Sequence, residues 1–217
     1  MAHSDGNSEE GFDGLVRRVD PDRWLASRFV GDPAKRADLM VLYAYDHELA
    51  RAVQVASNPL LAEMRLTWWI EALEEIFGGR TVRRHPTVEA LSDVIARRHL
   101  PRDLLEAMIE GRVRDLGDGA DLQQWAHDTG GAAAVLAAMI LDPEAEAEAA
   151  RLAGVAWALD RRKGEGGDLA NARAAARRLS IAAFPAAAHA CLNRFPPGWE
   201  GLRRRLRLLL TVATGRL

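Results

Sequence analysis

Proline placement is the feature of this sequence that most constrains its fold. An Asp or Asn directly before proline favours a helix start, because it accepts a hydrogen bond from the first turn, where the missing N–H of proline costs nothing. Four such pairs occur, at Asp20-Pro21, Asp32-Pro33, Asn58-Pro59 and Asp142-Pro143. His85-Pro86 and Leu100-Pro101 repeat the pattern with weaker caps. Each pair is therefore predicted to begin a helix.

Apolar residues recur at helical spacing between these prolines. The first two stripes are Leu42, Tyr45, Leu49 and Val53, then Leu61, Met64, Trp68 and Leu73. Alternating β-branched runs are nearly absent, so we predict an all-α, single-domain helical bundle whose short connections pack neighbouring helices antiparallel. The predicted helices span 21–30, 33–57, 59–78, 87–99, 101–116, 121–141, 143–163, 168–195 with a break near Pro185, and 199–216.

Composition excludes several classes of protein. The chain has 217 residues, a net charge of −2 and one cysteine. A lone Cys191 forms no internal disulfide, and a near-neutral chain lacks the basic excess that nucleic-acid binding requires. The longest apolar run, 130–141, is shorter than the roughly 20 residues that span a bilayer. We therefore predict a cytoplasmic protein without a nucleic-acid partner.

The first 13 residues differ in composition from the rest. They contain four acidic residues, no Lys or Arg and no apolar segment, unlike a secretory or mitochondrial targeting sequence. We predict a disordered acidic lead-in over 1–13, followed by a helical domain over 14–217.

Acidic and glycine-rich segments offer no convincing catalytic or metal site. Glu71 and Glu75 share a helix face, but they continue a polar stripe typical of a solvated surface. Asp115, Asp118 and Asp121 lack the ligand pattern of a calcium loop and suit turns and helix caps. The run 164–167 follows a helix, not a strand, so a flexible connector is favoured over a phosphate cradle. We predict no catalytic residues and no metal ligands.

Several short motifs together resemble the squalene/phytoene synthase family, all-α isoprenoid synthases that join two prenyl diphosphates head to head. The motifs are Tyr43-Ala44-Tyr45, residues 63–69 (Glu-Met-Arg-Leu-Thr-Trp-Trp), His85-Pro86, Leu100-Pro101 with Asp115, and Thr129-Gly130-Gly131. The resemblance runs from about Asp20 to the C-terminus and implies the isoprenoid synthase type of bundle.

The resemblance also shows what this chain lacks. Active members carry two aspartate-rich motifs, because ionising a diphosphate requires Mg²⁺ ions held by carboxylates on facing helices. Ala50, Arg51 and Gln54 stand at the positions of the first motif. The second should follow Trp157, where the chain has Asp160 and two arginines before a glycine run. The implied protein is a non-catalytic relative, with no cofactor.

Two functions remain open, beside a purely structural bundle that binds no ligand. The resemblance implies a substrate-binding region formed by Tyr43, His47, Arg51, Gln54, Gly130, Trp157 and Arg161, where an isoprenoid or lipid ligand would bind. Arg51, Arg161 and Arg162 would hold a diphosphate directly, although surface arginines of an arginine-rich chain are the more ordinary interpretation. The alternative is an active head-to-head prenyltransferase of terpenoid biosynthesis that uses rearranged acids, such as Glu48, Glu165 and Asp168, with Mg²⁺.

A divergent branch of the family, which includes a mitochondrial respiratory complex I assembly factor, matches two segments better than the active enzymes do. These segments are 48–51 and 63–69. The resemblance implies an accessory role with a protein partner at a respiratory membrane. The basic C-terminal helix, in which arginines precede Leu208, would add peripheral contact with the inner membrane. Packing of its leucines on the bundle is the alternative.

Overall fold

The computed structural model describes residues 11–117, 121–163, 169–192 and 201–217. Within these ranges every regular element is helical, which confirms the all-α prediction. The α-helices are α1 (Gly11–Val19), α2 (Pro21–Ser27), α3 (Pro33–Gln54), α4 (Pro59–Phe77), α5 (Pro86–Arg98), α6 (Arg102–Arg114), α7 (Leu122–Ala126), α8 (Ala132–Leu141), α9 (Ala147–Lys163), α10 (Leu169–Ala176), α11 (Pro185–Ala188) and α12 (Leu202–Thr214). A π-helical turn (His127–Gly131) joins α7 to α8, and a 3₁₀ turn (His189–Leu192) follows α11.

The predicted helix starts at Asp20, Asp32 and Asn58 are confirmed. Their side chains accept a backbone N–H of the first turn at 3.2, 2.8 and 3.0 Å, and proline occupies the first position of each helix. Each cap satisfies an N–H group that the helix itself leaves without an acceptor.

The predicted helix start at Asp142-Pro143 is wrong. Asp142 accepts the N–H of Glu144 at 3.1 Å and the hydroxyl of Ser180, so it closes a turn, and α9 begins only at Ala147. An Asp-Pro pair favours either a turn or a helix start. Here the turn forms, and the carboxylate of Asp142 also accepts a hydrogen bond from Ser180, 38 residues away in the sequence.

Other boundaries also differ from the predictions. Gly11–Val19 is helical, so residues 11–13 do not belong to a disordered lead-in; residues 1–10 lie outside the described residues. The predicted helix 121–141 is interrupted by the π-helical turn. Of the predicted helix 168–195, the structure describes residues 169–192, which form α10, α11 and the 3₁₀ turn. The predicted connector at 164–167 lies outside the described residues.

Helix α4 presents a different face to the core from the one predicted. Of the predicted stripe, Leu73 is buried and Trp68 is partly buried, but Leu61 and Met64 are 39% and 61% exposed. Leu66 and Trp69, outside that stripe, are buried instead. Trp69 packs edge-on against Tyr45 of α3, with ring centroids 5.4 Å apart. Both faces of α4 carry apolar residues at helical spacing, so periodicity alone could not select the buried one.

A close contact between the π-helical turn and α9 brings two walls of the interior together. A Cβ at Gly130 would lie 2.5 Å from the carbonyl oxygen of Gly154, and a Cβ at Gly154 only 2.1 Å from that of Gly130. Only glycine on both sides permits this approach. It places Trp157, one turn after Gly154, opposite α3.

Candidate functional site

A cavity of about 320 Å³ lies between α2, α3, α6, the π-helical turn and α9. Residues from both halves of the chain line it: Val19, Asp20, Arg23, Tyr43, Asp46, His47, Ala50, Gln54, Arg112, Trp125, Thr129, Gly130, Trp157, Ala158 and Arg161. The structure thus brings together six residues that the resemblance assigned to substrate binding, namely Tyr43, His47, Gln54, Gly130, Trp157 and Arg161.

The seventh residue, Arg51, lies outside this cavity. Tyr43, His47 and Gln54 recur at helical spacing and share one face of α3, whereas Arg51 is rotated away from that face. Its side chain is 59% exposed and lies 3.7 Å from the carboxylate of Glu48. Both residues line a second depression between α3 and α4.

A buried carboxylate between two arginines forms the floor of the cavity. Asp46 of α3 accepts a hydrogen bond from Arg23 of α2 at 2.5 Å and another from Arg112 of α6 at 2.8 Å. Arg23 is only 3% exposed, and its guanidinium lies over the rings of Tyr43 and Trp157 at 5.0 and 4.2 Å. These contacts join three helices at one point.

The two arginines also fix the ionisation of this carboxyl group. Burial alone would raise the pKa of Asp46, but the positive charges of Arg112 and Arg23 outweigh burial and lower the pKa to about 2. Burial raises the pKa of the neighbouring Tyr43 hydroxyl. At neutral pH the floor therefore holds an ionised Asp46 and a neutral Tyr43.

Arg161 lies at the edge of the cavity on α9. Its guanidinium stacks over Trp157 at 4.9 Å and its side chain is 47% exposed. Among the described residues, the carboxylates of Asp20 and Asp22 form ion pairs with it at 3.9 and 3.8 Å, beyond hydrogen-bonding distance. Arg161 can therefore turn towards a ligand without breaking a hydrogen bond to either carboxylate.

Arg162, the other arginine that sequence implicated, contacts a different partner. It pairs with Asp115 and stacks over Trp125 at 4.4 Å. Asp115 is thereby held in an ion pair, and Asp121 caps α7. Asp118 lies outside the described residues.

Three residues of the cavity wall hold buried N–H groups that have no acceptor among the described residues. They are Nε of Arg23, Nε of Arg112 and Nε1 of Trp125, from three different helices. These nitrogen atoms are covered by neighbouring protein atoms. The charge that the cavity presents therefore comes from its lining as a whole, in which three arginines, Arg23, Arg112 and Arg161, outnumber two carboxylates, Asp20 and Asp46.

The cavity residues do not fit a Mg²⁺ cluster. Asp46 is held by Arg23 and Arg112, while Asp20 lies within 4 Å of Arg23 and Arg161 and caps α2. Among the described residues no group of three or more His, Cys, Asp or Glu side chains could hold a metal ion. Glu165 and Asp168, two acids of the enzymatic alternative, lie outside the described residues.

Sequence reasoning missed Arg23, Asp46, Arg112 and Trp125. A signal existed for Asp46, which falls on the buried stripe between Leu42 and Leu49, where an acid needs a partner. The partners themselves are 23 and 66 residues away, and nothing in the sequence points to them.

The architecture and the cavity define an all-α protein with a partly open cavity that three arginines line. A family model for squalene/phytoene synthase matches residues 16–160, about two thirds of the chain, and the protein belongs to that family. No curated protein matches the chain. All the cavity-lining residues up to Ala158 fall inside the matched segment, and Arg161 follows directly after it.

Proposed function

We propose that this protein binds a prenyl diphosphate, an isoprenoid chain with an anionic head, without metal and without catalysing its ionisation. The observation that carries the proposal is the lining of the cavity by three arginines, Arg23, Arg112 and Arg161, against two carboxylates, Asp20 and Asp46. Diphosphate oxygens are strong acceptors that match guanidinium donors in geometry and charge. Arg161, which is 47% exposed at the edge, would supply a movable contact.

The absence of catalysis is argued from electrostatics. Departure of diphosphate needs its developing charge to be stabilised, and in this family Mg²⁺ ions held by carboxylates supply that stabilisation. Ala50 and Gln54 occupy two positions of the first aspartate-rich motif on the cavity wall. Fixed arginines bind the ground state as well as the transition state, so they favour binding over turnover.

The enzymatic alternative would use Glu48, Glu165 and Asp168. Glu48 lines the depression between α3 and α4 and lies beside Arg51, away from the cavity. Prenyl transfer through rearranged acids therefore has less support than binding.

The accessory role rests on the resemblance of residues 48–51 and 63–69 alone. It stays a prediction, as do the protein partner at a respiratory membrane and the cytoplasmic location.

Within the described residues no helix is long and apolar enough to cross a membrane. In α12, Leu208 is buried, while Leu206, Leu209 and Leu210 are 49%, 50% and 62% exposed. Peripheral membrane contact through α12 remains a prediction that these exposed leucines support.

The test is calorimetric titration of the purified protein with farnesyl diphosphate in EDTA, with farnesol and inorganic pyrophosphate as probes of each end. We expect binding of farnesyl diphosphate without metal, weakened about tenfold or more in Arg161→Ala, because a hydrogen bond to a charged group is lost. Arg51→Ala is the matched control, since this arginine lies outside the cavity, and it should bind as the wild type does.

Release of diphosphate is followed in parallel with Mg²⁺ present. Mg²⁺-dependent release would support the active prenyltransferase instead. Lack of binding by all three probes, or equal loss in Arg161→Ala and Arg51→Ala, would remove the basis for the proposal.

A further inference from the structure

The outer face of α4 carries an exposed apolar patch that the cavity does not use. Leu60, Leu61 and Met64 are 65%, 39% and 61% exposed, and Val55 at the end of α3 is 55% exposed. Residues 63–69 were singled out by sequence, yet Glu63, Met64, Arg65 and Thr67 all point to solvent. Contiguous exposed apolar surface of this kind marks interaction sites.

The patch has the shape of a ridge between two grooves. Leu60, Met64 and Trp68, spaced four residues apart, form the ridge. On one side lies the groove between α3 and α4, of about 550 Å³, and on the other a shallower groove of about 400 Å³. Met64 and Trp68 line both grooves. Two copies of this ridge packed against each other would bury their exposed apolar side chains.

Charges on the two edges of the ridge differ in sign. Glu63 lines the shallower groove and Arg65 the groove next to α3. Both side chains are exposed, and no ion pair with a described residue is formed by either. Glu63 and Arg65 flank Met64 on opposite sides. A two-fold axis that runs roughly along two neighbouring α4 helices would therefore place Glu63 of each copy beside Arg65 of the other.

We propose that α4 is a homodimer interface, in which two copies cross at Met64 in nearly parallel orientation and form two symmetric Glu63–Arg65 ion pairs. The occupant is a second copy because one helix supplies both members of the complementary set: an apolar ridge that meets its own copy at the axis, and an acid and a base on opposite edges. A two-fold interface requires this self-complementarity. The surface lies apart from the cavity, so the inference stands independently of the proposed ligand.

The test is sedimentation velocity of the full-length protein over a concentration series. We expect a dimer whose mass halves in Met64→Glu, because that change sets two carboxylates face to face at the axis. Glu63→Arg and Arg65→Glu should each weaken association about tenfold, and the double variant Glu63→Arg/Arg65→Glu should restore it, because the charges are exchanged. Ile181→Glu is the control, since Ile181 is apolar, 93% exposed and outside the patch.

Each outcome of the sedimentation experiments supports or contradicts the proposed α4 dimer. A wild-type protein that stays monomeric at every concentration overturns the proposal and assigns the patch to a different partner. A dimer unaffected by Met64→Glu places the interface elsewhere. If both single charge variants dissociate and the double variant does not reassociate, the proposed pairing is wrong. Far-UV circular dichroism establishes that each variant is folded.

Discussion

The nearly buried carboxylate of Asp46 accepts one hydrogen bond from Arg23 at 2.5 Å and one from Arg112 at 2.8 Å. Replacing Asp46 by Asn keeps the shape of the side chain but removes the carboxylate to which both nearly buried guanidinium groups are hydrogen-bonded; the carboxylates of Asp20 and Asp115 lie farther away, at 3.6 and 3.8 Å. Removing one partner of a buried ion pair typically costs about 3–5 kcal/mol. We expect the free energy of unfolding, measured by urea denaturation, to fall by about that amount in Asp46→Asn.

Glu48→Gln is the matched control for this change, two residues further along the same helix. Glu48, which is 21% exposed, lies 3.7 Å from the 59% exposed Arg51, beyond hydrogen-bonding distance, so the free energy of unfolding should fall by less than about 1 kcal/mol in Glu48→Gln. A second readout is acid sensitivity: the folded-state pKa of Asp46, about 2, lies below its ordinary value of 3.8. The stability it contributes is present above pH 4 and lost as the pH falls towards 2. Asp46→Asn should lack this decline, and equal effects in both variants would contradict the assignment.

At the scale of elements, the contact of α9 with the π-helical turn depends on two glycines. A methyl group at Gly154 would lie 2.1 Å from the carbonyl oxygen of Gly130, which is far inside van der Waals contact. In Gly154→Ala we expect α9 to be pushed outward and the free energy of unfolding, measured by urea denaturation, to fall by at least about 1–3 kcal/mol. Binding of farnesyl diphosphate should also weaken, since Trp157 moves with α9. Gly31→Ala is the control because nothing lies within 4 Å of the added Cβ; its stability should change by less than about 0.5 kcal/mol.

Elements also differ in how far sequence could predict them. The starts of α2, α3 and α4 were predictable because Asp20, Asp32 and Asn58 act on backbone groups within three residues of themselves. The buried face of α4 was not, since both of its faces are apolar and the choice depends on α3 and α6. The cavity was half predictable: motif resemblance located its α3, π-turn and α9 residues, but the arginines that hold Asp46 come from distant parts of the chain.

At the scale of the whole molecule, α3 separates two surfaces with different properties. Tyr43, His47 and Gln54 face the arginine-lined cavity, while Arg51 and Val55 face the apolar groove beside α4. A change on one side of α3 therefore leaves the other side chemically intact. This separation is why binding of farnesyl diphosphate and self-association can be tested with non-overlapping sets of variants.

Stability of the whole molecule should also depend on pH through His189. This residue is 1% exposed, neither ring nitrogen has a hydrogen-bond partner among the described residues, and its ring packs edge-on against that of Trp157 with centroids 5.0 Å apart. Burial, reinforced by Arg23 and Arg161, lowers the pKa of His189 well below 6.5. Below pH 6.5, His189 is therefore protonated in the unfolded chain but stays neutral in the folded protein. The free energy of unfolding consequently falls as the pH falls below 6.5.

We expect this loss to reach at most about 1.4 kcal/mol per pH unit between pH 6.5 and 5, a range in which Asp46 stays ionised. Urea denaturation at a series of pH values measures it, and the Met64→Glu background excludes any contribution from association. His189→Phe keeps an aromatic edge against Trp157 and should remove the His189 contribution. His99→Asn, an exposed position with a left-handed backbone that Asn tolerates, should retain it. An unchanged slope of the free energy of unfolding against pH in His189→Phe would contradict this prediction. It would mean that His189 is protonated as readily in the folded protein as in the unfolded chain, and that water reaches the cavity wall at Trp157.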